Sequence, residues 1–272
     1  MLSDLSLLER LKEIKSTDRM PTLFIGHGSP MNAIEDNKYR RSWVKLGNLL
    51  PKPKAILSIS AHWITHGTTK VTAMEKPKTI HDFGGFPDEL FQQQYPAPGS
   101  PELANTTIGK VSSTDILPDF EWGLDHGTWS VLLPMYPKAD IPIYQLSIDY
   151  SKPFQYHYDL GLQLRSLREK GVLILGSGNI VHNLSSLRYD ATPYDWALEF
   201  DSKITSFIDN GNHQGVIDFQ NLGSIARMAH PTYDHFIPLL YILALQEKNE
   251  GVYYFNESFD LGSLSMRSLV IS

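Results

Sequence analysis

The chain has no cysteine in its 272 residues. That absence removes disulfides, thiolate zinc sites and iron–sulfur clusters, so a bound metal has only imidazole, carboxylate and water to hold it. No stretch approaches the ~20 apolar residues that a membrane-spanning helix needs. Positive charge is scarce as well. There are 24 Lys and Arg against 30 Asp and Glu, a net charge of −6, and no long basic run to neutralise phosphates. Neither nucleic acid nor a membrane is an expected partner. A His-Glu-x-x-His helix, a Gly-x-Ser-x-Gly elbow and a P-loop are missing too, which sets aside the common zinc-protease, serine-hydrolase and nucleotide-phosphate arrangements.

With 42% hydrophobic residues, the chain can bury a sizeable core as one domain spanning 1–272. Apolar β-rich segments alternate with helix-compatible ones, which predicts an α/β fold: a single layered domain with a central, mostly parallel or mixed sheet flanked by helices. Strands are predicted at 22–25, 55–60, 70–74, 141–148 and 172–175. Helices are predicted at 39–50, 101–111, 129–135, 153–168, 193–210 and 236–247, several opening on Pro or a capping residue. The first 20 residues, with Asp4, Glu9, Glu13 and four basic residues among spaced leucines, suit an amphipathic helical extension better than a signal peptide. With no export signal and no cysteine, a cytoplasmic location is expected.

Ten histidines are present, and four sit where apolar runs give way to loops: His27, His62, His182 and His235. Neutral imidazoles converging from rigid strand ends are what a metal site requires. Each has a bland alternative. His27, between Gly26 and Gly28, suits a turn or core histidine as well as a ligand, and its Gly-x-Gly lacks the third glycine of a dinucleotide loop. His62 follows a six-residue apolar run, and its neighbour Trp63 either shields a site or fills core. His182 follows Gly176-Ser177-Gly178, which also reads as a weak phosphate-binding turn. His235 ends a Pro-containing turn in which Asp234 suits a helix N-cap. Recurrence of His27, His62 and His182 at the same end of successive strands favours one shared metal site. His126, next to Asp125 and Gly127, suits a loop acid/base or an ordinary loop histidine. His66, His157 and His213 read as solvated, His81 as able to touch substrate, and His230 as serving the His235 turn. The tract from His81 to Pro101 reads as a binding loop or lid, with Phe83, Phe86, Phe91 and Tyr95 available to cover a flat ring.

The segments GHGSPMNAIEDN, SISAHW, HDFGGFPDELFQQQYPAPGSPELA, WGLDHGTW, LGSGNIVHNL and HPTYDHFIPLLY closely resemble the class III extradiol ring-cleavage dioxygenases, in their 4,5-DOPA extradiol branch, from about Pro21 to the C-terminus. The resemblance implies a non-haem metal at the C-terminal edge of the sheet and cleavage of a catechol beside its two hydroxyls with O2. The product implied is a muconic semialdehyde, and no organic cofactor is needed. It assigns His27 and His62 as metal ligands. His235 stands where related branches carry a third ligand, often a glutamate. His182 matches a fourth ligand in some relatives and an acid/base in others, so it carries both assignments. In the mechanism expected here, His126 stabilises the bound oxygen or the developing charge. One divalent metal per chain is implied: Fe(II) suits oxygen chemistry, and zinc fits the same donors without exchanging electrons. The partners implied are a small aromatic diol and O2, with the oligomeric state open. A non-catalytic metal-binding protein of the same fold and a zinc hydrolase are the competing readings.

Overall fold

Residues 19–190 and 192–272 are described by the structure, a computed structural model. The helical extension expected over 1–20 falls outside them apart from Arg19 and Met20, neither of which is helical. Six strands form the main sheet: β1 (Thr22–Gly26), β2 (Ala55–Ser60), β3 (Ile143–Gln145), β4 (Val172–Gly178), β5 (Val252–Phe255) and β6 (Ser268–Ile271). Their spatial order is β5-β6-β1-β4-β2-β3. The last four in that order run parallel, in registers such as Thr22 opposite Ile174 and Leu57 opposite Ile174. β6 and β5 add antiparallel to the β1 edge, so the sheet is mixed.

The parallel strands are buried on both faces, and their continuous apolar runs follow from that. Leu23, Ile56, Leu173 and Leu175 pack on one side with Trp43 and Leu46 of α1 (Lys38–Leu49) and with Trp129 and Leu132. Phe24, Leu57, Ile59 and Ile174 pack on the other side, against α2 (Pro101–Lys110), α4 (Phe154–Leu164), α5 (Asp195–Asp209) and α6 (Ile237–Ala244). Trp129 and Leu132 belong to α3 (His126–Met135). Among the described residues no helix is long and apolar enough to cross a membrane.

Five sequence expectations are corrected. The 141–148 strand is two short ones, Ile143–Gln145 and Ile148–Asp149, and the segment expected at 70–74 forms Thr69–Thr72, which pairs with Ile116–Asp119 away from the main sheet. His126 is not in a loop: it opens α3, with Asp125 as N-cap accepting from the Thr128 N–H at 3.2 Å. His157 is not solvated but fully buried in α4, its Nδ1 3.0 Å from the Tyr241 hydroxyl. His213 is likewise held, by Tyr158 and Gln246, while His66 is exposed.

The sheet positions the histidines. β1, β4 and β2 are adjacent and parallel, so their C-terminal ends open on the same edge, and His27 and His62 follow β1 and β2 within two residues. The turn carrying His235 lies against the end of β4, where the Asn179 N–H donates to the His235 carbonyl at 2.9 Å. A Cβ at Gly178 would sit 2.1 Å from that carbonyl oxygen, so only glycine lets the turn approach. Gly28, at φ +57°, makes the left-handed turn that leads the chain away from His27.

Candidate metal centre

His27, His62 and His235 meet at that edge, each offering one ring nitrogen, with all three atoms within 4.8 Å of one another. The ring centroids are 5.1 Å apart for His27 and His62, 5.2 Å for His27 and His235, and 5.0 Å for His62 and His235. His27 is 2% and His235 5% exposed, while His62 lies at the mouth, half-buried.

The polar contacts behind these rings decide which nitrogen faces inward. Ser177 Oγ donates to the Gly127 carbonyl at 2.5 Å, so it can only accept from His27 Nδ1–H, 3.0 Å away. His235 Nδ1 donates to Asp234 at 2.5 Å. His62 Nδ1 lies 3.3 Å from Asp82 Oδ2. With each Nδ1 turned to an oxygen, the Nε2 lone pairs are left to converge, and those of His27 and His62 stand 3.2 Å apart. Buried lone pairs facing one another repel unless a cation lies among them. Burial first, and then the neighbouring imidazoles, push His27 and His235 well below the ordinary histidine value; burial and His126 do the same to His62 against the opposing pull of Asp82. Neutral imidazoles are the ligand form. The three residues therefore fit a divalent metal with an oxygen-bonded outer shell.

His182 is not in this set of mutually close donors. Its ring stacks on His235 at 3.5 Å with planes 3° apart, and its backbone N–H donates to the Ala229 carbonyl. Burial lowers it to about 4, Asp234 opposing and His126 adding. His126 is 6% exposed, its ring 3.8 Å from His62 and 5.6 Å from His27. Beneath it, buried Asp125 accepts from Ser60 at 2.6 Å and Gln145 at 2.7 Å, which ties the start of α3 to β2 and β3. His230 is buried, its Nε2 2.7 Å from the Ile180 carbonyl, and braces the His235 turn.

The aromatic loop is divided in its duties. Phe83 sets its edge on the His126 ring at 5.5 Å and packs with Phe86 and Phe91. Tyr95 is a core anchor instead, 1% exposed with its hydroxyl donating to the Tyr136 carbonyl at 2.9 Å. The segment is not wholly irregular, since Asp88–Phe91 is a helical turn. Trp63 is buried and stacks on Trp122 at 5.6 Å. The sequence reading missed Asp82, Ser177 and the ring-holding role of Asp234, and no local pattern distinguishes these residues from turn or loop polar groups.

The sequence profile of the catalytic LigB subunit of aromatic ring-opening dioxygenase matches residues 21–262. The chain belongs to the LigB family of class III extradiol ring-cleavage dioxygenases. It is 47% identical over 266 residues to the 4,5-DOPA dioxygenase extradiol of Escherichia coli K12, covering 95% of this chain and 97% of that one. It is 38% identical over 255 residues to the 4,5-DOPA dioxygenase extradiol of Beta vulgaris, covering 91% and 94%. The crystal structure of an uncharacterised Escherichia coli K12 protein superposes with a TM-score of 0.81 at 41% identity, covering 93% of this chain and all of that one. That neighbour carries the same fold as this LigB-family chain.

Proposed function

We propose that this LigB-family chain cleaves a catechol of the L-DOPA type beside its two hydroxyls, using O2, to a muconic semialdehyde. The observation that carries the reading is the convergence of His27, His62 and His235 within 4.8 Å at the sheet edge. These three residues would hold one divalent metal per chain. Fe(II) is the ion that supplies electron exchange between the diol and oxygen, whereas zinc binds the same donors without redox chemistry. The two relatives named as 4,5-DOPA dioxygenases support the substrate class.

The chain's own groups then divide the proton work. His182, neutral at pH 7, takes a proton from a catechol hydroxyl and returns one as the ring opens. Its stacking on His235 keeps it beside the metal-facing imidazoles, and in this proposal it is a reserve ligand as well as the base. His126, clasped between Phe83 and His62, stabilises negative charge that develops on the reacting oxygen. Phe83 and Phe86 cover the aromatic ring and exclude water. A small aromatic diol and O2 are the only partners proposed, and the cytoplasm the place of action.

The test is anaerobic loading with Fe(II), addition of L-DOPA or catechol, and admission of oxygen. A yellow semialdehyde with matching O2 uptake is the expected result. Oxygen uptake without colour, or turnover without oxygen, contradicts the proposal.

A further inference from the structure

Next to Phe83 on the aromatic loop stands a carboxylate with no part in those proton transfers. Asp82 Oδ2 lies 3.0 Å from His126 Nδ1 and 3.3 Å from His62 Nδ1, and its Oδ1 accepts the His126 backbone N–H at 2.9 Å. One side chain thus touches a proposed ligand and the proposed oxygen-stabilising histidine. Its side chain is only 18% exposed, so its charge acts with little screening. The approach to His126 Nδ1 is oblique and makes no in-line hydrogen bond, which leaves charge as the chief interaction there.

We propose that Asp82 is a positioning residue whose negative charge, set against Nδ1 of both His62 and His126, fixes the orientation of the two rings, turns the Nε2 of His62 toward the metal, and ties the aromatic loop to both rings. The inference rests on the metal-centre reading above. A carboxylate behind a metal-facing imidazole fixes its tautomer and strengthens it as a ligand. A single carboxylate serving two rings also links them: whatever moves the loop moves both. The loop stem is anchored for this purpose, with His81 Nε2 at 2.9 Å from the Gln93 carbonyl, and Phe83 adds its ring edge to the far side of the same clasp. An aromatic substrate pressing on Phe83 would thereby settle Asp82 against the histidines.

The experiment is zinc titration of the full chain against a competing chelator, alongside kcat and KM of the Fe(II)-loaded enzyme on L-DOPA. Asp82→Asn keeps the acceptor for the His126 N–H and removes the charge; Asp82→Glu keeps the charge. Asn should weaken zinc binding on the order of 10–100-fold, with Glu within about threefold of wild type. Asn should also lower kcat roughly tenfold or more at saturating metal while KM stays within about threefold. Asp82→Ser, a second neutral variant, is judged by the same criteria if the Asn variant does not fold. Zinc affinity unchanged in the neutral variants, or Asn and Glu equally impaired, overturns the proposal, the latter result marking a purely steric role. A drop from two bound zinc ions to one per chain also overturns it, by making Asp82 a ligand. Zinc binding needs no turnover. A wild type that binds zinc in an Asp82-dependent way yet opens no catechol would therefore contradict the proposed function and leave this inference standing.

Discussion

His27 illustrates how the chemistry is settled by single atoms. Its useful nitrogen is chosen by Ser177, whose hydroxyl hydrogen is already spent on the Gly127 carbonyl. Ser177→Ala removes the acceptor for Nδ1–H and frees the ring to change tautomer. Metal affinity should fall on the order of 10–100-fold, read by chelator competition. Unchanged affinity would show that the serine only fills space. His182 carries a different expectation, because it is placed to move protons while the trio holds the ion. His182→Ala, with metal content matched to wild type, should lose roughly 10²–10⁴ in kcat. Full activity would remove its acid/base role. His27, His62 and His182 were legible in the sequence because each follows an apolar run, and His235 because it stands in the turn before one. Asp82, Ser177 and Asp234 were not, since a polar residue's service to a distant ring leaves no mark in its own neighbourhood.

Elements decide how those atoms meet. The His235 turn reaches the centre only because it lies on the end of β4 at Gly178, where a side chain has no room. Gly178→Ala puts a methyl against backbone that cannot yield, so the turn must move. Overpacking of this kind costs about 1–3 kcal/mol, and the expected result is a lower melting temperature together with weakened zinc binding. Wild-type values of both would mean that the turn is placed by other contacts. The parallel core strands were readable because burial on both faces demands unbroken apolar runs. The antiparallel strands β5 and β6 were not anticipated, since strands of four residues are too short to carry that signature. Residues 69–72 form a strand as their β-prone side chains suggest, yet that propensity does not name a partner, and they pair off the main sheet. His126 read as a loop residue because the helix predicted at 129–135 in fact begins three residues earlier, at His126, capped by Asp125.

Across the whole molecule, folding buries imidazoles that an unfolded chain would protonate. His157, in the first turn of α4 and hydrogen-bonded to Tyr241, is lowered by burial to about 4, with Asp149 and a backbone bond opposing. A depressed value means that the unfolded chain binds the proton more readily. Stability from this group is complete above about pH 6.5 and is lost as pH falls toward 4, on the order of 2–3 kcal/mol in full. Chemical denaturation of the metal-free protein between pH 7 and pH 4.5 should show this decline, and His157→Gln should make it shallower. An equal slope in the variant would assign the loss elsewhere. The central claim, that residues 27, 62 and 235 form one metal centre, is tested most directly by anomalous diffraction from crystals loaded with Fe(II) or zinc. One strong peak about 2.0–2.2 Å from a ring nitrogen of all three histidines is the predicted result. A peak elsewhere, with the three imidazoles unligated, would contradict it.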